Sequence, residues 1–175
     1  MRFIKAFLVG ATGLFVVITL FSLLIPANVK VARNTTINST DRNKIIAQVA
    51  DLKNWKNWHP IFAAEGAVTN FGSISSGKNA SCDVQYKDKV IHLLITFADS
   101  SLVSFILQSK GENSISNQIR LYPLEGLNQT MVEWTSVTHL HWYPWEKFYA
   151  IFMDKLTGPG YEMALEGLKK YVEGN

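Results

Sequence analysis

Residues 6–25 read AFLVGATGLFVVITLFSLLI, and none of these 20 carries a charge. As a helix rising about 1.5 Å per residue, such a run reaches about 30 Å, the thickness of a bilayer hydrocarbon core. Pro26 and Asn28 end it. A helix buried in a soluble core does not need apolar residues on every face, whereas a membrane span does. A cleaved signal peptide is the competing reading, because Ile25-Pro26-Ala27 offers a cleavage site. Signal cores are usually shorter, about 7–15 residues. The sequence therefore divides into residues 1–28, a membrane anchor (or signal peptide), and residues 29–175, one domain. Arg2 and Lys5 ahead of the run favour a cytoplasmic head and an extracytoplasmic domain, although Lys30 and Arg33 follow closely.

Composition excludes several classes for the rest. Hydrophobic residues make up 47% and charged residues 18%, which is not the balance of a disordered chain. With Arg2 and Lys5 set aside, 15 basic residues stand against 14 acidic ones, so no nucleic-acid surface is expected. The single cysteine, Cys82, rules out a disulfide scaffold.

Beyond the span, residues 29–37 alternate loosely and read as a first strand. Ser39 or Thr40 then caps a short helix carrying Ile45, Ile46, Val49 and Leu52. Five further strands are expected near residues 80–86, 90–98, 102–109, 114–122 and 130–140. The short turns between them, such as Lys87-Asp88 and Gly111-Glu112-Asn113, make an antiparallel meander. Pro144 suits a helix start, and Phe148, Tyr149, Phe152 and Leu156 make an apolar stripe. Gly158-Pro159-Gly160 is expected to break or kink that helix before Tyr161, Leu165, Leu168 and Val172 carry it on. Helices gathered on one face of an antiparallel sheet define an α+β domain.

Four stretches resemble the START-like, or SRPBCC, superfamily. Residues 31–40 resemble its first strand and helix start. Asp51, Trp55, Trp58 and Pro60 match the D-x-x-x-W-x-x-W-x-P pattern of its polyketide cyclase/dehydrase and lipid-transport family. Residues 130–134 resemble its last strand, and residues 158–173, with Glu162, Leu165, Leu168 and Lys169, its closing helix. The resemblance implies a helix-grip fold: seven antiparallel strands around a long C-terminal helix, with an apolar ligand pocket between them. It also implies two function classes, a binding or carrier protein for a small apolar molecule or lipid, and a cyclase/dehydrase-like enzyme. A non-catalytic interaction or stress-response module is a third use of the fold.

The residues themselves favour binding. His139 and His141 share a strand face, but it is opposite the inward face set by Val132 and Trp134, so no metal site is expected. Cys82 and Asp83 point to opposite faces and cannot act together. His92 falls outward with Val90 and Leu94, and the assigned inward face holds no Asp, Glu or Lys. His59, beside Pro60, is expected at the surface or the pocket rim. No cofactor is expected. The expected cavity lining is Trp58, Tyr86, Phe97, Phe105, Trp134, Ser136, Phe148, Phe152 and Leu156, with Leu93, Ile95 and Leu107 on the same sheet face. Trp55, by contrast, is expected to cement the short helix to the sheet.

Overall fold

The structure, a computed structural model, describes residues 2–174. The apolar run forms α1 (Arg2–Ser22), which packs almost nothing against the rest of the chain. It is followed by β1 (Asn28–Ile37), α2 (Arg42–Ala50) and a 3₁₀ turn (Leu52–Asn57). Six strands succeed these: β2 (Val68–Phe71), β3 (Ser81–Tyr86), β4 (Lys89–Ala98), β5 (Leu102–Ser109), β6 (Ile115–Leu124) and β7 (Gln129–His139). A helix, α3 (Pro144–Gly174), closes the chain. All seven strands make one antiparallel sheet in the order β1-β7-β6-β5-β4-β3-β2. β2 is a four-residue edge strand that no alternating pattern announces.

Local chemistry explains the boundaries. The cap of α2 is Asp41, not Ser39 or Thr40, because its carboxylate accepts the Lys44 N–H at 3.2 Å. The Ser39 hydroxyl instead accepts the Asp41 N–H at 3.2 Å, one step earlier. The next cap, Asp51, accepts the Lys53 N–H at 3.0 Å and starts the 3₁₀ turn. That turn brings Trp55 and Trp58 down onto the sheet. Their indole N–H groups donate to the Val49 and Gln48 carbonyls of α2 at 2.9 and 3.1 Å.

α3 runs unbroken through Gly158-Pro159-Gly160, contrary to the expected break. Pro159 removes one helical N–H, but Arg33 of β1 clips the helix on both sides of it. Its guanidinium holds Asp154 at 2.9 Å and Glu162 at 2.6 Å. Hydrogen bonds to these two carboxylates raise the Arg33 pKa further, and the pairing holds Asp154 below its ordinary range. Gly158 lies directly beneath the guanidinium, where a Cβ would collide with it.

The second half of α3 is the gripped half. Ala164, Leu165, Leu168 and Val172 are buried in the same core as Ile37, Ile45, Trp55 and Val132. Gly167 lets the helix approach the Trp58 carbonyl so closely that a Cβ would overlap its oxygen. Gly167→Ala should therefore cost about 1–3 kcal/mol through overpacking, despite the better helix propensity of alanine. Denaturant unfolding of the full chain in detergent measures it, and an unchanged or raised midpoint would refute the close approach.

Candidate functional site

Three elements leave a space between them. The concave sheet face supplies Val84, Leu93, Leu107 and Trp134, the segment after the 3₁₀ turn supplies His59 to Phe62, and α3 supplies Thr157, Gly160, Tyr161 and Met163. The cavity, open to solvent on one side, has a volume of ≈ 370 Å³, within the range of small-molecule sites. A second cavity of ≈ 440 Å³ adjoins it, sharing Thr157 and Tyr161. Tyr161 stands at the junction. Its hydroxyl donates to Ser136 Oγ at 2.9 Å, and its ring lies 5.1 Å from that of Trp134. Burial raises the phenol pKa, with the Ser136 hydrogen bond opposing the shift. The second cavity is more polar, with Lys89, Glu112 and Glu146 on its wall. Lys89 and Glu112 pair there at 2.6 Å. The expectation of an inward face free of Asp, Glu and Lys fails at this end, because strand tips and α3 contribute side chains that alternation within a strand does not place.

Besides Tyr161, the first cavity has His59 as a titratable wall group. The His59 ring stacks on Trp55 at 5.3 Å and meets Trp58, Phe62 and Trp134 at 5.4, 5.2 and 5.8 Å. Its Nδ1 accepts the Ile61 N–H at 3.3 Å. A neutral ring must then carry its proton on Nε2, which has no protein partner among the described residues. Desolvation among these rings pushes the pKa down to about 3. His59 is thus a partly exposed wall at the cavity rim, beside exposed Pro60. The Trp55-x-x-Trp58-His59 spacing was the available signal, because the Trp58 and His59 N–H groups both donate to the Trp55 carbonyl, at 3.2 and 2.7 Å, and so bring residues three and four apart together.

Trp134 sits at the back of the cavity, its indole N–H donating to Oδ1 of Asn117 at 3.0 Å. Asn117 is 1% exposed and is a buried polar residue that the pattern of β6 did not single out.

No family model matches the sequence, and no curated protein matches it. Solved structures do. A protein from Chromobacterium violaceum aligns over 83% of this chain and 98% of its own, at 10% identity and a TM-score of 0.61. Ara h 8.0201 aligns over 85% and 99%, at 12% identity and a TM-score of 0.56. DynU16, from the dynemicin biosynthetic locus, aligns over 82% of this chain and 47% of its own, at 12% identity and a TM-score of 0.58. The fold is the helix-grip fold, a seven-stranded antiparallel sheet around a long C-terminal helix. Similarity at this identity carries architecture only; chemistry rests on the site.

In this helix-grip chain the expected lining residues part company. Trp134 lines the first cavity, together with Leu93 and Leu107, and Ser136 lines the second. Phe105 is 1% exposed and packs behind the cavity, 5.2 Å from Trp55 and 5.7 Å from Trp134. Trp58 is buried in the core and borders an open groove on the other side of α3. Tyr86 shares a strand face with Val84 but sits at the tip of the β3–β4 hairpin, beyond the cavity.

Phe97 points outward. A bulge between Ile95 and Phe97 moves the register by one, so Ala98 pairs with buried Val103, and Phe97 with Ser104. Phe148, Phe152 and Leu156 lie on the outer face of α3, 38%, 56% and 58% exposed. The inward positions of that half are Lys147, Ala150 and Gly158.

The other candidate groups are elsewhere. Cys82 is buried, and desolvation followed by the Asp83 charge pushes its thiol up to about 12. His92 pairs with Asp83 at 2.5 Å on the outer sheet face. His139 bonds Asn28, and His141 meets Glu146 at 3.2 Å.

Proposed function

We propose that the chain is a membrane-tethered binding or carrier protein for a small apolar molecule or lipid. In this reading residues 1–28 are the anchor and residues 29–175 the binding domain, on the extracytoplasmic side. The observation that carries it is the ≈ 370 Å³ cavity walled by Trp55, Phe62, Val84, Leu93, Leu107 and Trp134. A ligand there gains about 25 cal/mol for each Å² of apolar surface it buries, without a charged anchor. The resemblance of the tryptophan motif to the polyketide cyclase/dehydrase and lipid-transport family supports the same class of ligand. The length and apolarity of residues 3–22 support the tether.

Two groups favour binding over turnover. A histidine whose pKa is about 3 is too weak a base for efficient proton abstraction near neutrality. The Cys82 thiol, at about 12, is not an activated nucleophile.

Gly160 offers a clean test. It lines the cavity, and a Cβ added there meets nothing within 4 Å. Gly160→Leu should fill the space and raise stability by about 0.5–1 kcal/mol through helix propensity. Mass spectrometry of the detergent-exchanged full chain should find an apolar molecule retained by the parent and several-fold depleted in the variant. A parent that retains nothing, or a variant that retains as much, would overturn the reading.

A further inference from the structure

We propose that the outer face of the first half of α3 lies flat on the lipid bilayer, beside the point where α1 enters it. The inference rests on the tethered reading above and adds a second contact with the membrane. Trp145, Phe148, Phe152 and Leu156 fall on one side of the helix, at spacings of three and four residues. Trp145 is 64% exposed, and neighbouring Trp142 60%. A continuous apolar face of this kind is costly in water.

The acidic charges of this segment are engaged away from that face, and exposed Lys155 stands at its edge, where its stem lets the ammonium reach lipid phosphates. Glu146 accepts the His141 N–H at 2.6 Å, and Asp154 is held by Arg33. Lys147 is buried and donates to the Ile25 carbonyl at 3.1 Å. That last bond also fixes the geometry. Together with the Leu140 N–H on the Ala27 carbonyl at 2.7 Å, it pins the exit of the span to the start of α3.

The composition of the face suits an interface. Trp142, Tyr143 and Trp145 cluster nearest the exit, the residue types that settle among headgroups. Phe148, Phe152 and Leu156 continue away from it, as in a helix lying in the interface plane. On its other side the same segment presents Met153 and Thr157 to the second cavity. A single helix then separates the bilayer from the cavities.

The test uses the full chain in phosphatidylcholine vesicles carrying nitroxide lipids. An environment-sensitive fluorophore is attached through Phe152→Cys, Phe15→Cys or Glu125→Cys; buried Cys82 stays unlabelled. Glu125 sits in the β6–β7 turn, at the opposite end of β7 from His139, about 35 Å of strand away. The labels at 152 and 15 should be blue-shifted and quenched several-fold more than that at 125. Quenching at 15 but not at 152 would overturn the docking face and leave the span intact. Quenching at neither would overturn both. Quenching at 152 without 15 would keep the face and overturn the span. A label at 152 shielded from aqueous iodide yet untouched by lipid nitroxides would put protein on the face and overturn the proposal.

Discussion

Replacing Trp55 by alanine is expected to remove about 3–5 kcal/mol of stability, the range for deleting a buried large aromatic. The residue is 1% exposed. Its ring lies 5.0–5.3 Å from Trp58, His59, Phe62 and Phe105, and 6.3 Å from Trp134. Truncation loses the transfer free energy of the indole and enlarges a cavity that one of its faces already borders. It also leaves the Val49 carbonyl without its 2.9 Å donor. Trp55→Phe keeps most of the area and loses that hydrogen bond, so it should cost about 0.5–1.5 kcal/mol for the bond plus a packing increment. Urea unfolding of the full chain in detergent, read by circular dichroism, measures both. A Trp55→Ala loss below about 1 kcal/mol, the level of an ordinary substitution, would show that the ring is not the joint between helix and sheet.

Trp55 was legible because its environment is local: a capped turn with two tryptophans three apart. The strands after residue 80 were legible for the same reason. Each is an apolar run between turn residues, and β7 alternates through Val132, Trp134, Ser136 and Thr138 as its inward face requires. The errors arise where a single register decision propagates. In β4 one bulged residue sends Phe97 outward, and nothing in the run of apolar residues 93–98 marks the place.

In α3 the error was one of angle. At about 100° per residue, the five steps from Leu156 to Tyr161 turn the helix about 140°. The stripe of Phe148, Phe152 and Leu156 therefore cannot share a face with Tyr161, Leu165 and Val172 unless the helix breaks. Gly158-Pro159-Gly160 suggested that it does. The Arg33 clip, which joins residues 121 and 129 positions apart in the chain, keeps it whole. Such a long-range bond leaves no periodic trace. The cavity follows the same logic. Its sheet wall could be read from alternation, whereas His59, Phe62 and Tyr161 reach it through the path of the loop and the phase of the helix.

Lowering the pH from 7 to 5 is expected to destabilise the fold by about 2 kcal/mol through His59 alone. Desolvation holds its pKa at about 3, below the ordinary 6.5. The unfolded chain takes up a proton on this ring as pH falls through 6.5, while the folded chain takes it up only near pH 3. The unfolded state therefore binds more protons between these limits, and stability rises with pH across the window. The contribution is complete above about pH 7 and is lost progressively down to about pH 3. Asp99 and Asp154, whose pKa values are lowered by hydrogen bonds, lose their contributions only below the ordinary carboxylate range. These carboxylates therefore contribute nothing between pH 7 and pH 5, and a variant without the ring isolates the His59 share there. His59→Phe keeps an aromatic ring against Trp55 and removes the titration, so its unfolding midpoint should change by correspondingly less over that interval. A parent profile that is flat there, or a slope of the same size in His59→Phe, would show that the ring is not desolvated in the folded state. The same slope reports on the cavity. An apolar molecule seated against His59 removes more water from the ring, so occupancy should stabilise the protein at pH 7 and steepen the loss below it.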